Sequence, residues 1–598
     1  MEIDKKLVSR FWNKHPLICA ILKESADPEI ARNHIHNYLA EQWRVLYQSD
    51  SSEPTLQWGI RMLALRIFRR IISQRSEQLT GFSIVRLLFS LAHEQFDDLP
   101  KDLNVGFFQE IDHLLLAIAD KTEIYENVPP PSFLKQHGRK AAIQRSKHLD
   151  EIAQQCSQYI QRYPHGLLGH VDASRLKNRD RILKNLNGKE SDWNNYQWHL
   201  KNVIRDAKTL GKLIHLSRDE TKAINFAKES KLPFGITPYY VSLMDKDSSR
   251  ENDHAIRAQV IPSVEYVETM RQYRGNHEPA TDFMLEKDTS PVDLITRRYP
   301  FIVILKPYNT CSQICVYCQR NWEIDDVLDK HALATPGKLE KALSWLEKTT
   351  DIREVLVTGG DPFIMANTQI ESILCRLAGM SHITRIRFGT RTPVVLPQRI
   401  TQDLVDLIAE YHVPGKREIA IVTHFEHCYE VTPQAMEAVQ KCKRQGIGVY
   451  NQVVFTVENS RKFELVALRE NLRLIGVDSY YTFNTKGKQE TKRFRVPMAR
   501  LQQEIKEEAR LVPGLVRTDE SVYNVPGLGK NYIRASQHHS LLTVLQNGRR
   551  IYEFHPWEKN LRLVDTYIDT DVSIHDYLTE LKNRGENIND YKTIWYYY

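Results

Sequence analysis

No apolar run in this 598-residue chain approaches the roughly 18 residues of a membrane span. The start, MEIDKKLVSRFW, also lacks the apolar stretch and small-residue cleavage site of a secretory leader. Cysteine is scarce, eight in the whole chain, too few for a disulfide framework. These absences predict a soluble, cytoplasmic protein with no membrane partner. The net charge of +7 is small for the length and gives little footprint for nucleic acid. One basic stretch, Arg175 to Lys189, could touch phosphates, but Leu176, Ile182, Leu183 and Leu186 interrupt it as in a helix with a solvated basic face. The glycine-rich run Val525-Pro526-Gly527-Leu528-Gly529-Lys530 is followed by Asn531, where a P-loop needs Ser or Thr, so an ATPase reading is poor. With 41% hydrophobic and 26% charged residues the material is globular, with length for about four domain-sized units.

Three of the few cysteines stand together. Cys311, Cys315 and Cys318 form CSQICVYC just after the apolar run Phe301 to Leu305, a CxxxCxxC spacing that suits a [4Fe-4S] cluster. Such clusters usually take four thiolates. Three imply either a distant fourth cysteine or an iron left open for a substrate. Cys19, Cys156, Cys375, Cys428 and Cys442 are scattered singly. The alternative is a zinc knuckle or three buried thiols, although structural zinc wants four ligands.

The chain changes character along its length. Ile60, Leu63, Ile67 and Ile71, then Ile84, Leu87, Leu88 and Leu91, recur at helical spacing and predict a helical bundle. The run Val128-Pro129-Pro130-Pro131 marks a bend, after which Gly138 to Tyr163 is helical again. From Phe301, β-branched runs alternate with helical ones: FIVIL (Phe301 to Leu305), REVLVTGGDP (Arg353 to Pro362), RIRFGT (Arg385 to Thr390), EIAIVTHF (Glu418 to Phe425), VYNQVVFT (Val449 to Thr456) and SYYTFNT (Ser479 to Thr485). Thr432-Pro433 opens one intervening helix and Gly446 is placed to end it. Six strand-helix repeats predict an α/β fold, a parallel sheet curled into a partial (βα)6 TIM-like barrel with its chemistry at the C-terminal strand ends. The expected organisation is a helical region of unknown role over 1–190, a wrapping helical and extended segment over 191–290, the barrel with the lysine loop over 291–535, and a hairpin and tail over 536–598.

Gly359-Gly360-Asp361-Pro362 supplies a tight turn and one carboxylate; it is either a plain βα turn or a ligand cradle. Lys530 ends a glycine-rich loop, as a surface turn or as an amine able to form a Schiff base with pyridoxal phosphate (PLP). The cysteine triplet with Tyr317 before its last member, together with the glycine turn, resembles the radical S-adenosylmethionine (SAM) enzymes. With the lysine loop, the chain resembles the lysine 2,3-aminomutase family of that superfamily. The likeness runs from about Trp198 through Lys231 to Asp245, Arg298 to Pro300, the cysteines, TGGDP, Arg387 to Ile400, Thr423 to His427, Asn451 to Phe455 and the lysine loop, into the hairpin at Asn547-Gly548, whose dipeptide suits a type I′ turn. The first 190 or so residues lie outside it.

The resemblance implies that Cys311, Cys315 and Cys318 hold the cluster and that Tyr317, Gly359, Gly360, Asp361 and Gln452 contact SAM. It implies Lys530 as the catalytic lysine that carries PLP, with Arg298, Tyr299 and Arg391 on the PLP side. Arg320 would clamp the substrate α-carboxylate. SAM cleavage would then yield a 5′-deoxyadenosyl radical that takes hydrogen from Cβ while the amino nitrogen moves from C2 to C3. Each arginine has an alternative as a loop-bracing ion pair.

Lysine-using members of the family place two aspartates around the side-chain ammonium, where this chain has Lys486 and Asn524. Losing two anions and gaining a cation inverts the local charge, and unpaired buried like charges cost roughly several kcal/mol. The pair resembles glutamate 2,3-aminomutases, so L-glutamate is the expected substrate, unless Lys486 points to solvent. Alternatives are an L-lysine 2,3-aminomutase, or a radical enzyme that modifies a protein or RNA partner recruited by the N-terminal region; a non-catalytic scaffold would not need the intact cysteines, Arg320 and Lys530. A reductant protein such as flavodoxin or ferredoxin is the expected partner, and a homo-oligomer is open. No cysteine follows Cys442, which argues against the zinc-bound interface of some family members. His424 and His427 are too closely spaced for a helical metal pair and are expected to order the site rim.

Overall fold

The computed structural model describes residues 5–48, 56–122, 124, 131–246, 252–273, 282, 284–484, 491–526, 529–555, 557 and 565–598. Its chain forms two compact units, one of Met1–Gln154, Val496–Glu507 and Asn531–Tyr598, the other of Gln155–Arg495 and Glu508–Lys530.

In the first unit the expected helical bundle forms. The helix Leu56–Ile71 buries Ala64, Leu65, Ile67, Phe68 and Ile71, so its inward stripe is shifted from the one read off Ile60 and Leu63. The helix Ile84–Ala92 buries Ile84, Leu87, Leu88 and Leu91 as the spacing predicts, and the Ser83 side chain caps it by accepting the Arg86 N–H. A third helix, Val105–Ile118, is tied to the C-terminal segment of this unit by a buried ion pair: Arg550 Nη2 lies 2.9 Å from Glu110 Oε2 and donates to the Trp595 carbonyl at 2.9 Å. Charge burial on this scale persists because each partner satisfies the other.

The second unit holds the barrel sheet. Strand β1 (Ile295–Thr296) pairs antiparallel with β2 (Ile302–Tyr308). Then β3 (Glu354–Gly359), β4 (Arg385–Gly389), β5 (Glu418–Thr423), β6 (Gly448–Phe455), β7 (Asp478–Asn484) and β8 (Glu520–Val525) add in sequence order, all parallel. β9 (Gly529–Tyr532) completes a nine-stranded sheet. The six strands read from the sequence are β2 to β7. β8, ESVYNV, is not among them, because its short run carries no clear alternation. Helices Pro336–Lys348, Asn367–Gly379, Gln402–Ala409, Pro433–Arg444 and Glu464–Leu474 make the crossovers. Thr432 caps the fourth through the Ala435 N–H, with Pro433 at its first turn, and Gly446 takes φ +76° beyond its end.

Alternation along the strands shows which face is the lumen. In β2 the residues Val303, Leu305 and Pro307 are buried, while Ile302, Ile304, Lys306 and Tyr308 are half-buried. The same half-buried face of β3, β4 and β6 presents Glu354, Arg387 and Gln452. A parallel sheet covered on both faces is apolar throughout; charged side chains on one face mark a cavity built for polar work.

The remaining strands, β10 (His539–Val544), β11 (Arg550–Phe554) and β12 (Tyr567–Thr570), form an antiparallel sheet in the first unit. Its β10–β11 turn corrects the type I′ expectation. Gly548 N–H bonds the Leu545 carbonyl and Leu545 N–H the Arg549 carbonyl, both at 2.9 Å. Only Gly548, at φ +73°, is left-handed there. This is a type I turn closed by a glycine bulge, for which Asn547 needs no positive φ.

Candidate functional site

The cysteine loop leaves the C-terminal end of β2 and is clamped to the glycine turn after β3. Gly360 N–H bonds the Tyr308 carbonyl at 2.7 Å and Asp361 N–H the Thr310 carbonyl at 2.9 Å. A Cβ on Gly360 would stand 2.1 Å from the Thr310 carbonyl oxygen, so only glycine permits this approach. The Asp361 carboxylate is spent inside the fold: it accepts from Thr390 Oγ1 at 2.6 Å, Arg391 N–H at 3.0 Å and Phe363 N–H at 3.1 Å. It therefore joins the β3 and β4 turns. Tyr317 donates its hydroxyl to Gln259 Oε1 at 2.8 Å, while Gln452 faces the lumen from β6.

Burial pushes the Cys311 thiol well up, helped by Asp361 and by the other two thiols, and burial raises Cys315 too. A bound cation would favour their thiolates, since metal ligands bind deprotonated. Two N–H groups already address the sulfurs: Arg320 N–H at 3.3 Å from Cys318 Sγ and Arg391 Nη1 at 2.9 Å from Cys315 Sγ. Among the described residues no three His, Cys, Asp or Glu side chains converge on one metal ion. An iron-sulfur cluster does not require that, since its thiolates bind different irons. The donor set fits the cluster.

Lys530 sits on β9 with its amine 5.1 Å from the Tyr299 ring centre and 4.9 Å from that of Tyr481. Its backbone N–H bonds the Tyr299 hydroxyl at 2.7 Å. Gly529 takes φ +96°, and a Cβ there would stand 2.5 Å from that same hydroxyl. Burial lowers the Lys530 amine from its ordinary 10.5 to about 8, with Arg387 and Arg298 pushing the same way and Glu354 opposing. A partly neutral amine beside two guanidinium groups and two aromatic rings fits PLP, whose aldehyde needs a nucleophile and whose phosphate needs cations.

Arg387 was not singled out by the sequence reading. Its Nη1 donates to the Tyr480 hydroxyl at 3.1 Å, and it pairs with Glu354. Arg391, expected on the PLP side, has its guanidinium against the cysteine loop. Besides Cys315 Sγ, its guanidinium donates to Glu430 Oε1 at 2.7 Å, the His424 carbonyl at 3.2 Å, the Tyr240 hydroxyl at 3.3 Å and Gln259. Arg391 belongs to the cysteine side because β4 ends at Gly389 and the chain has turned onto the rim, whereas Arg387 faces the lumen from within the strand.

Glu286 is the other residue the sequence reading missed. Buried to 4% exposure, it accepts from Arg320 Nη2 at 2.6 and 2.5 Å and from Lys306 Nζ at 3.0 Å, and lies 3.8 Å from Arg298 Nη2. Arg320 Nη1 also reaches Glu323 at 2.7 Å. One carboxylate thus links Arg298, a neighbour of Lys530, to Arg320, a neighbour of Cys318. Nothing in its local run, Leu285-Glu286-Lys287-Asp288, marks it.

Asn524 lies half-buried on β8; Lys486 lies outside the described residues. His427 is buried, with Nε2 3.4 Å from Glu464 and Nδ1 accepting the Tyr429 N–H at 3.2 Å. Burial, then the Arg391 charge, lowers His424 to about 4, leaving it neutral.

Residues 305–468 match the radical SAM superfamily. A glutamate 2,3-aminomutase of Clostridioides difficile is 35% identical over 53% of this chain and 71% of its own length. An L-lysine 2,3-aminomutase of Fusobacterium nucleatum is 33% identical over 52% of this chain and 69% of its own. An uncharacterized KamA family protein of Methanocaldococcus jannaschii is 42% identical over 100% of this chain and 98% of its own length. With the radical SAM region falling on the strands that carry the three cysteines, the glycine turn and Arg391, this chain is a radical SAM enzyme and belongs to the KamA family.

Proposed function

We propose that the protein is a radical SAM, PLP-dependent amino acid 2,3-aminomutase that moves the α-amino group of L-glutamate to its β-carbon. The observation that carries this reading is a partly neutral Lys530 whose amine feels the Arg298 charge, with Arg298 paired to Glu286, Glu286 to Arg320, and the Arg320 backbone N–H bonded to Cys318. When bound, the cluster with SAM supplies one-electron chemistry for an unactivated C–H bond, and PLP supplies a ring that delocalises the unpaired electron.

This chain's residues do the rest. Lys530 offers PLP an amine, with Tyr299 and Tyr481 walling it and Tyr299 fixing its backbone. Arg387 and Arg298 give the lumen positive charge for a phosphate, and Arg298 is held in turn by Glu286. Arg320, its planar group set by Glu286 and Glu323, presents a cation for an amino acid carboxylate. Close packing of the loop after β2 against Gly359 and Gly360 holds the cysteine loop in place on the sheet.

The substrate assignment rests on charge: the positions expected to face the side-chain end carry Asn524 and Lys486 and no aspartate, which disfavours an ammonium and favours a carboxylate. The test is to reconstitute the protein anaerobically, add SAM and reductant, and offer glutamate, lysine or arginine separately. β-Glutamate is the expected product. Turnover of lysine without glutamate would refute the charge argument and leave the aminomutase assignment standing. One observation favours a second reading, a larger partner acting with the N-terminal region: the aminomutase relatives align to about half of this chain.

A further inference from the structure

The Arg391 side chain has no slack. Nη1 donates to Cys315 Sγ, Nη2 to Glu430, Tyr240 and Gln259, and Nε to the His424 carbonyl, while its backbone N–H is held by Asp361. The anchors are themselves fixed. Glu430 is fully buried; its Oε1 also accepts from the Tyr240 hydroxyl at 2.7 Å, and its Oε2 accepts the Glu426 and His427 N–H groups at 2.6 and 3.2 Å. Gln259, in addition, accepts from Tyr317, one residue before Cys318.

We infer that Arg391 is a positioning residue for the iron-sulfur cluster: it fixes the Cys315 corner and raises the reduction potential by donating an N–H to that sulfur and placing a guanidinium charge beside it. The inference rests on the cluster assignment proposed above. Reduction adds negative charge that spreads onto the cluster sulfurs, and a hydrogen-bond donor or cation at a sulfur stabilises that form more than the oxidised one. Glu430 offsets part of the charge, but it is engaged by Nη2, which leaves Nη1 for Cys315. The work suits arginine because one planar fork reaches a sulfur, a carboxylate and a carbonyl together, which a lysine ammonium on a flexible stem cannot reproduce. Arg391 also joins the cysteine loop to the turns after β3, β4 and β5, so the cluster corner moves with the sheet.

The test uses the full chain reconstituted with iron and sulfide under anaerobic conditions, without SAM. Redox titration followed by electron paramagnetic resonance should give a lower midpoint potential in Arg391→Gln than in the parent, with Arg391→Lys between them, at equal iron and sulfide content. Borohydride-trapped PLP at Lys530 should be unchanged in both variants. An unchanged midpoint in both would overturn the inference, as would loss of PLP trapping with an unaltered cluster, which would return Arg391 to the PLP side. Should the variants not fold, the parent labelled with guanidino-15N-arginine answers alone: pulsed resonance should detect a nitrogen coupled to the reduced cluster, and no coupling overturns the assignment. A parent that binds no cluster refutes the cluster reading itself.

Discussion

The sharpest quantitative consequence concerns the Lys530 amine. With a midpoint of about 8 in place of 10.5, its neutral fraction at pH 7 is ~10% against ~0.03% for an ordinary lysine, a roughly 300-fold gain in nucleophile. The displacement disfavours the charged form by ~3 kcal/mol, and burial is its largest cause. The group's folded value lies below its unfolded one, so the cost is fully present below about pH 8 and is relieved as pH rises toward 10.5. Two measurements follow. The initial rate of borohydride-trapped PLP incorporation, read by peptide mass, should rise with pH to a midpoint near 8 and then level. Arg387→Met should move that midpoint upward by removing a cation that acts on the amine. In the apoprotein, Lys530→Met should be more stable than the parent at pH 7, and the difference should shrink by pH 10. A trapping midpoint near 10.5, or PLP found on a different lysine, would refute the reasoning.

Other consequences can be checked singly. Replacing Cys311, Cys315 or Cys318 by Ser should abolish iron and sulfide uptake while leaving PLP trapping intact, and retention of a full cluster in any of the three would contradict the ligand set. Gly360→Ala places a methyl 2.1 Å from the Thr310 carbonyl oxygen, so it should destabilise by roughly 3 kcal/mol or more in denaturant melts and impair cluster uptake. Glu286→Ala leaves Arg320, Lys306 and Arg298 without their shared anion and should cost roughly 3–5 kcal/mol; Glu286→Gln, which keeps the shape, should lose substrate affinity more than fold stability, measured as separate changes in KM and melting temperature.

Local spacing carried much of this site. The cysteine triplet and the glycine turn are contiguous in sequence, so their partnership could be read without a fold, and the strand-helix alternation placed both at strand ends. Helical regions were legible where apolar residues kept the helical period, as in Ile84–Ala92, where all four expected residues are buried. In Leu56–Ile71 the stripe included small Ala64 and bulky Phe68, which a search for branched aliphatics passes over. Neither period nor spacing revealed that Val496–Glu507 and Asn531–Tyr598 complete the N-terminal unit. That association joins surfaces hundreds of residues apart, through pairs such as Glu110 and Arg550, and each member alone reads as a surface charge.

The two arginines of one motif show what resemblance leaves undetermined. Arg387 and Arg391 sit in one motif, RFGTRTP, and four residues of extended chain span up to ~13 Å, enough to separate the floor of a barrel lumen from its rim. A phosphate needs the arginine that shares the depth of Lys530. Depth is set by strand position: Arg387 lies within β4 on the face that also carries Glu354 of β3, while Arg391 lies beyond the strand end with the cysteines. The alternation of polar with apolar residues along these strands is visible in the sequence at Lys306, Glu354, Arg387 and Gln452. Read by depth as well as by side, that pattern places Arg387 within the lumen and Arg391 at the cysteine rim, while Glu286 reaches both Arg298 and Arg320.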